Sequence, residues 1–377
     1  MSGHGKKEGL LVFFIIFVGH LFRRLMKSDG GKVTINDVAR AAGVSKGTVD
    51  RVLHDRGEVS RKSREKVLKV IEELGYKPNF HASLLASQKE RVICCVFPEC
   101  KEGEFWSMTL KGIRDASEIV SRYGVKVNCV RFDQYSVESF RNACNTVLSQ
   151  EVSGVVMAPM FRDEAMNFTS ALSEAGIPYM FIDSRIDGTD YLAYFGMPMY
   201  ESGVLCADIL TGGRHVPEKV YVVRISRDKS GLSDPTAARR AGFMDHMRLH
   251  YPSVQIENVF IDPKDPAAIR EKLDASVGMD RGCRFIVMFN SRIHVVADYL
   301  ASRGFDDCRV VGFDALERNV SALRAGYVHA LIAQHTDRQA LDAVNSMADH
   351  LVMGVPVAKR DNFTQMDILN RYNCDYY

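Results

Sequence analysis

Nine short apolar runs, separated by stretches of helical periodicity, constrain this chain more than any other feature. They are VICCVF (92–97), VKVNCVRF (125–132), GVVMAPM (154–160), YMFID (179–183), LAYFGM (192–197), KVYVVRI (219–225), FIVMFN (285–290), RVVGFD (309–314) and VHALIA (328–333). Most are continuously apolar rather than alternating, which is the pattern of strands covered on both faces, so they predict parallel sheets with helices on either side. About 285 residues of such sequence exceed what one sheet and one core accommodate, and two lobes are expected. No internal sequence repeat and no low-complexity segment follows residue 30.

Residues 33–89 follow a different rule. Thr34 with Asp37 three positions on forms a capping box for a helix carrying Val38, Ala41 and Ala42, and Gly43 permits the turn that ends it. Ser45 caps a second short helix with Val49, Val52 and Leu53 on one face. A third opens near Ser60 and runs to Leu74 with Gly75 as its stop, placing Val67, Val70, Ile71 and Leu74 at helical spacing. Two short helices joined at a glycine, the second displaying Ser45, Lys46, Thr48 and Arg51, have the proportions of a helix-turn-helix. Lys46 and Arg51 are the donors suited to guanine O6 and N7, although an ordinary solvated surface helix has the same spacing.

Charge separates the two regions. Residues 1–89 hold 17 Lys+Arg against 9 Asp+Glu, and the remainder 32 against 38, so the basic excess is concentrated where a polyanion would be met. The nine cysteines are scattered without CxxC spacing, which fits a reduced, cytoplasmic thiol set. No His/Cys cluster has the spacing of a metal site.

The segment TINDVARAAGVSKGTVDRVLHDRGEVSRKSREKVLKVIEELGYKPN, within residues 33–88, closely resembles the DNA-binding headpiece of LacI/GalR-type transcriptional regulators. The resemblance implies base contacts from Lys46, Gly47 and Arg51, and phosphate or supporting contacts from Thr34, Ser45, Thr48 and His54. The family usually has Ser where this chain has Asp50. A carboxylate there would be repelled by phosphate, so Asp50 either accepts from a cytosine amino group or orients Arg51, and the second is preferred. The resemblance also implies a hinge helix in KPNFHASLLAS, starting at Pro78 and Asn79, with Leu85 as the wedge that enters the minor groove. Ser83 stands where the family commonly has Arg. A helix this short forms only with help from DNA and a partner subunit, which would make it a bistable element.

From residue 91 to 377 the chain resembles the periplasmic sugar-binding fold that such regulators carry. The expected fold class is therefore α/β, with an all-α helix-turn-helix headpiece (32–77), a hinge helix and linker (78–90), and a two-lobed body of parallel sheets with flanking helices (91–377). Ligands in such bodies sit between the lobes at the carboxyl ends of the strands. The strand ends here supply Asp183, Arg185, Asn290, Asp314 and Gln334, with Arg239 from AARRAGF. These polar groups match the positions that hold sugar hydroxyls in the family, and Phe105 with Trp106 offers an aromatic face for a sugar ring. Asn290 is followed by Ser291 where the family often has Asp, and Arg185, Arg239, Arg240 and Arg292 leave an anionic ligand open.

The resulting expectation is a cytoplasmic, homodimeric repressor without cofactor. It would bind a pseudopalindromic double-stranded operator and respond to a small effector, a sugar or sugar derivative. No catalytic arrangement is recognisable, since TGGR (211–214) lacks phosphate-loop spacing and no Ser/His/Asp set stands out. The C-terminal FTQMDILNRYNCDYY has no heptad pattern and predicts no tetramerising helix. The alternative is an exported or membrane-tethered sugar-binding receptor, for which KKEGLLVFFIIFVGHLFRR (6–24) would be the signal. That stretch is shorter than the ~20 apolar residues of a membrane span and lacks a small-residue cleavage site. Residues 1–31 are therefore expected to be an N-terminal extension, disordered or non-native, in which residues 1–25 precede a start at Met26.

Overall fold

The computed structural model describes residues 33–53, 57, 59–76, 90–212, 217–225, 236–262, 265–280 and 282–377. The extension, His54 and the hinge with Asn79, Ser83 and Leu85 lie outside these. The chain divides into two compact units, residues 1–87 and 88–377.

The first unit contains α1 (Ile35–Ala42), α2 (Lys46–Leu53) and α3 (Arg61–Leu74). Their ends form where the sequence predicts. The Thr34–Asp37 capping box is complete, and Gly43 and Gly75 adopt the left-handed conformation at φ 65° and 59°. Ser45 Oγ accepts from the Thr48 amide at 3.1 Å, and Ser60 Oγ from the Ser63 amide at 3.2 Å. Val38, Ala42, Val49, Val52 and Val67 form the core, joined by Tyr76, which lies past the Gly75 stop and outside the helical period.

The second unit has two lobes. Its elements in chain order are β1 (Arg91–Pro98), α4 (Phe105–Ser121), β2 (Val125–Phe132), α5 (Val137–Leu148), β3 (Gly154–Met157), α6 (Arg162–Glu174), β4 (Tyr179–Ile182), β5 (Ala193–Gly196) and α7 (Met199–Thr211). There follow β6 (Lys219–Ile225), α8 (Ala237–His250), β7 (Gln255–Ile261), α9 (Pro266–Ala275), β8 (Arg284–Val287), α10 (His294–Arg303), β9 (Cys308–Phe313), α11 (Glu317–Arg324), β10 (Ala330–Gln334), α12 (Thr336–Met353), β11 (Asp361–Phe363) and β12 (Met366–Leu369). All nine apolar runs form strands. The three further strands were not legible: β7 alternates and carries Glu257 at a sheet edge, while β11 and β12 are short edge strands in the tail.

The strand orders are β11-β5-β4-β3-β1-β2 and β12-β10-β9-β8-β6-β7, identical position by position. The sequence shows no repeat, yet the two lobes repeat one strand order and differ in the direction of the last strand, β11 against β12. Among the described residues every pairing is parallel except β10 with β12. Among the described residues the chain crosses between lobes three times: from β5 to α7, from β10 to α12, and from β11 to β12.

Glycines permit two helix contacts that hold this arrangement. A Cβ on Gly112 of α4 would lie 2.0 Å from the Asp337 carbonyl oxygen of α12. One on Gly203 of α7 would lie 1.8 Å from the Arg239 carbonyl oxygen of α8, and one on Gly242 2.0 Å from that of Tyr200. Both obstacles are backbone and cannot turn aside, so Gly203→Ala is expected to cost about 2–3 kcal/mol. Urea unfolding measures it; unchanged stability would contradict so close an approach.

Candidate functional site

In the headpiece, α2 buries Val49 and Val52 and turns Ser45, Lys46, Gly47 and Arg51 to solvent, with Thr48 and Asp50 half-buried. The side chains suited to base edges thus share the face opposite the core. Thr34 is already engaged, because its hydroxyl donates to Asp37 Oδ2 at 2.6 Å as part of the helix cap. Through that same capping bond, Thr34 holds the Asp37 carboxyl below its usual range.

The second candidate site is a cavity of ≈ 240 Å³ between the two lobes of the body. Phe105, Trp106, Asp183, Arg239, Asn290, Asp314 and Gln334 all line it. Arg185 does not. It lines a neighbouring opening, where it pairs with Asp361 and, at 3.2 Å, with Asp187, and lies over the Tyr194 ring. The strand-end rule placed Arg185 in the cleft, but the chain turns sharply at Asp183 and directs the next side chains elsewhere.

That turn is the distinctive backbone feature of the site. Asp183 and Asp314 are the non-glycine residues with positive φ among the described residues, at 65° and 67°. Each follows the third strand of its sheet, β4 in one lobe and β9 in the other. Each donates its amide to the neighbouring strand, Asp183 to the Phe195 carbonyl at 3.1 Å and Asp314 to the Ile332 carbonyl at 3.0 Å. The two aspartates are therefore equivalent positions of the repeated strand order, lining one cavity. Asp tolerates this conformation better than most residues, and such strain concentrates at binding sites.

Buried polar groups fix both turns. Tyr194 Oη donates to the Asp183 carbonyl at 2.8 Å. Asn319, fully buried, donates its amide to the carbonyls of Ser291 at 2.9 Å, Phe313 at 3.1 Å and Asp314 at 2.9 Å, while its Oδ1 accepts from the His294 amide at 3.1 Å. That oxygen also lies 2.9 Å from His294 Nδ1, which assigns the ring proton to Nδ1. Asn319 had no sequence signal, because one Asn within a helix looks like any solvated position.

Arg239 is 2% exposed, and its guanidinium is engaged by the protein. Nε donates to Ser202 Oγ at 3.1 Å, Nη1 donates to the Phe289 carbonyl, and the group lies 3.8 Å from the Phe313 ring centroid. It braces the cavity floor as much as it faces a ligand. Burial pushes the Asp314 carboxyl up to about 6, with Arg239 and the Gln334 amide, 3.0 Å from Oδ1, pulling the other way. Phe105 and Trp106 meet edge to face at 5.0 Å between centroids. Arg292, one of the arginines that leave an anionic ligand open, is part of the lining, and so are Gln134, Thr236, His294 and Arg318, which the sequence reading does not name. Gln134 follows β2 and the strand-end rule would have found it.

Comparison with known proteins agrees with this architecture. Residues 94–354 match the periplasmic binding protein domain model, and residues 34–79 match that of the bacterial regulatory proteins, lacI family. A solved putative LacI transcriptional regulator from Bacteroides fragilis is 30% identical, with a TM-score of 0.71 over 77% of this chain and all of that one. The chain belongs to the lacI family. Catabolite control protein A of Streptococcus mutans is 37% identical over 124 residues, which are 33% of this chain and 36% of that protein. This LacI-family chain thus spans about a third of the length of that curated relative. The glucose-galactose binding protein GanP of Geobacillus stearothermophilus, at 18% identity and a TM-score of 0.66 over 76% of this chain and 99% of its own, shares the fold of the body.

Proposed function

We propose that this LacI-family chain is a sugar-responsive repressor. It reads operator DNA with the exposed face of α2 and holds its effector between the lobes. The observation that carries the ligand reading is the pair Asp183 and Asp314, together with the Phe105–Trp106 wall. Carboxylates accept strongly from vicinal hydroxyls, and an aromatic face suits the C–H surface of a sugar ring. Proteins of the same fold named or solved for glucose, galactose and D-arabinose binding support this class of effector.

On this reading Lys46, Gly47 and Arg51 contact bases, and Ser45, Thr48 and Thr34 support the backbone contacts. Asp50 orients Arg51. The protein acts as a cytoplasmic homodimer on a pseudopalindromic site, because two headpieces read two half-sites. Effector binding changes the angle between the lobes and releases DNA, with the difference in affinity between the two states supplying the energy. The nine cysteines are all unpaired, in keeping with a reducing compartment.

A gel-shift selection on a symmetric operator library, with and without a panel of pentoses and hexoses, tests both halves. A sequence-specific shift is expected, weakened about 10–100-fold by Arg51→Ala. No specific shift under any condition would end the regulator reading. The chain has a single tryptophan, Trp106, on the cavity wall, so its emission reports sugar binding directly.

A further inference from the structure

One hydrogen-bonded chain of side chains starts at the cavity and reaches all three crossings between the lobes. Asp314 lines the cavity and accepts at Oδ1 from Gln334 Nε2 at 3.0 Å. Gln334 ends β10, at the second crossing, and its Oε1 accepts from Gln339 Nε2 at 3.3 Å. The same Gln339 nitrogen donates to Thr364 Oγ1 at 3.0 Å, at the third crossing. Thr364 then donates to the Gly196 carbonyl at the first crossing, from its hydroxyl at 3.2 Å and its amide at 2.8 Å.

The polarity of this chain is determined by its ends. An ionised carboxylate only accepts, so Gln334 must present its amide nitrogen to Asp314 and its oxygen to Gln339. Gln339 must then use both hydrogens of its nitrogen, one on Gln334 and one on Thr364. Gln339 is 1% exposed and lies outside the lining of the cavity. A ligand that draws on Asp314 changes what Gln334 can offer, and Gln339 passes the change to the segments about which the lobes must rotate.

We propose that Gln339, acting through Thr364, is the positioning residue that couples occupancy of the cavity to the angle between the lobes. The inference rests on the reading of the cavity as the effector site. It requires a two-state element that both ends of the chain bias, and the three crossings are that element.

The test uses the full chain and Gln339→Met, which keeps the bulk and removes the donors, with Thr364→Val and its conservative counterpart Thr364→Ser. The probes are D-ribose, D-arabinose, D-xylose, D-glucose and D-galactose. For any sugar that shifts Trp106 emission, Q339M and T364V are expected to keep its affinity within about threefold, while the sugar's effect on operator affinity, about fivefold or more in the parent, falls toward one. T364S, which retains the hydroxyl, restores the effect. Full sugar-dependent release in Q339M and T364V would overturn the proposal, as would equal loss in T364S. Small-angle scattering without sugar decides the coupling independently. Q339M and T364V should shift the radius of gyration in the same direction and T364S should not, and profiles identical to the parent would overturn the proposal. If no sugar moves Trp106 emission, the effector reading fails on that result, and scattering still judges Gln339.

Discussion

Replacing Asp314 with Asn will abolish the sugar response and, at pH 8, make the unliganded protein more stable. Burial raises the Asp314 carboxyl from 3.8 to about 6 despite Arg239 and Gln334. A carboxyl raised on folding gives its full contribution to stability below its unfolded value, and that contribution is lost as pH rises through about 6. Above that the native state holds an ionised group it disfavours, at a cost of about 3 kcal/mol by the usual conversion of pKa to free energy. Asn keeps the shape, accepts from Gln334 and tolerates the left-handed backbone. Thermal unfolding should therefore show the variant higher by several degrees at pH 8, with the difference closing toward pH 4. Titration of Trp106 emission should show sugar affinity down by at least about 100-fold, as expected for losing charge-assisted hydrogen bonds. A variant less stable than the parent at pH 8 would mean that Arg239 outweighs burial.

Asn319→Ala is expected to be the most damaging single change in the second lobe. From a 0% exposed position it removes the donor to the buried Phe313 and Asp314 carbonyls and the half-buried Ser291 carbonyl, and the acceptor for the half-buried His294 amide. Each orphaned group costs about 1–3 kcal/mol, and after partial relaxation the total should be about 3–5 kcal/mol. The same loss frees the turn carrying Asp314 and the loop carrying Asn290 and Ser291, so sugar affinity should fall with stability. Denaturant unfolding monitored by circular dichroism measures the first effect and Trp106 emission the second. Asn319→Asp, which only accepts when ionised, should be at least as harmful, and a stable Asn319→Asp protein would show that the carbonyl contacts contribute little.

These two residues also show where sequence reading reached its limit. Asp314 was visible because it ends a continuous apolar run, and a polar residue at a strand's carboxyl end faces the cleft in sheets of this kind. Asp183, Asn290 and Gln334 follow the same rule, Phe105 and Trp106 stand out instead as an aromatic face for a sugar ring, and all five line the cavity. Arg185 shared the rule but not the outcome, because one left-handed residue before it redirects the chain. Asn319, Gln339 and Thr364 carried no local signal, since their partners lie 5 or more residues away in sequence and mostly in other elements.

The sequence by itself determined the helices of the headpiece and their caps, the nine strands of the apolar runs and the α/β class of the body. All of these arise from interactions within a few residues: capping, glycine turns and the period of apolar positions. The tertiary structure decided that the two lobes repeat one strand order, that Asp183 and Asp314 are its equivalent positions, that Arg239 is a brace, and that one hydrogen-bond chain joins the cavity to the crossings. Those facts depend on contacts between residues far apart in sequence, and neither spacing nor composition encodes which buried donor will meet which acceptor.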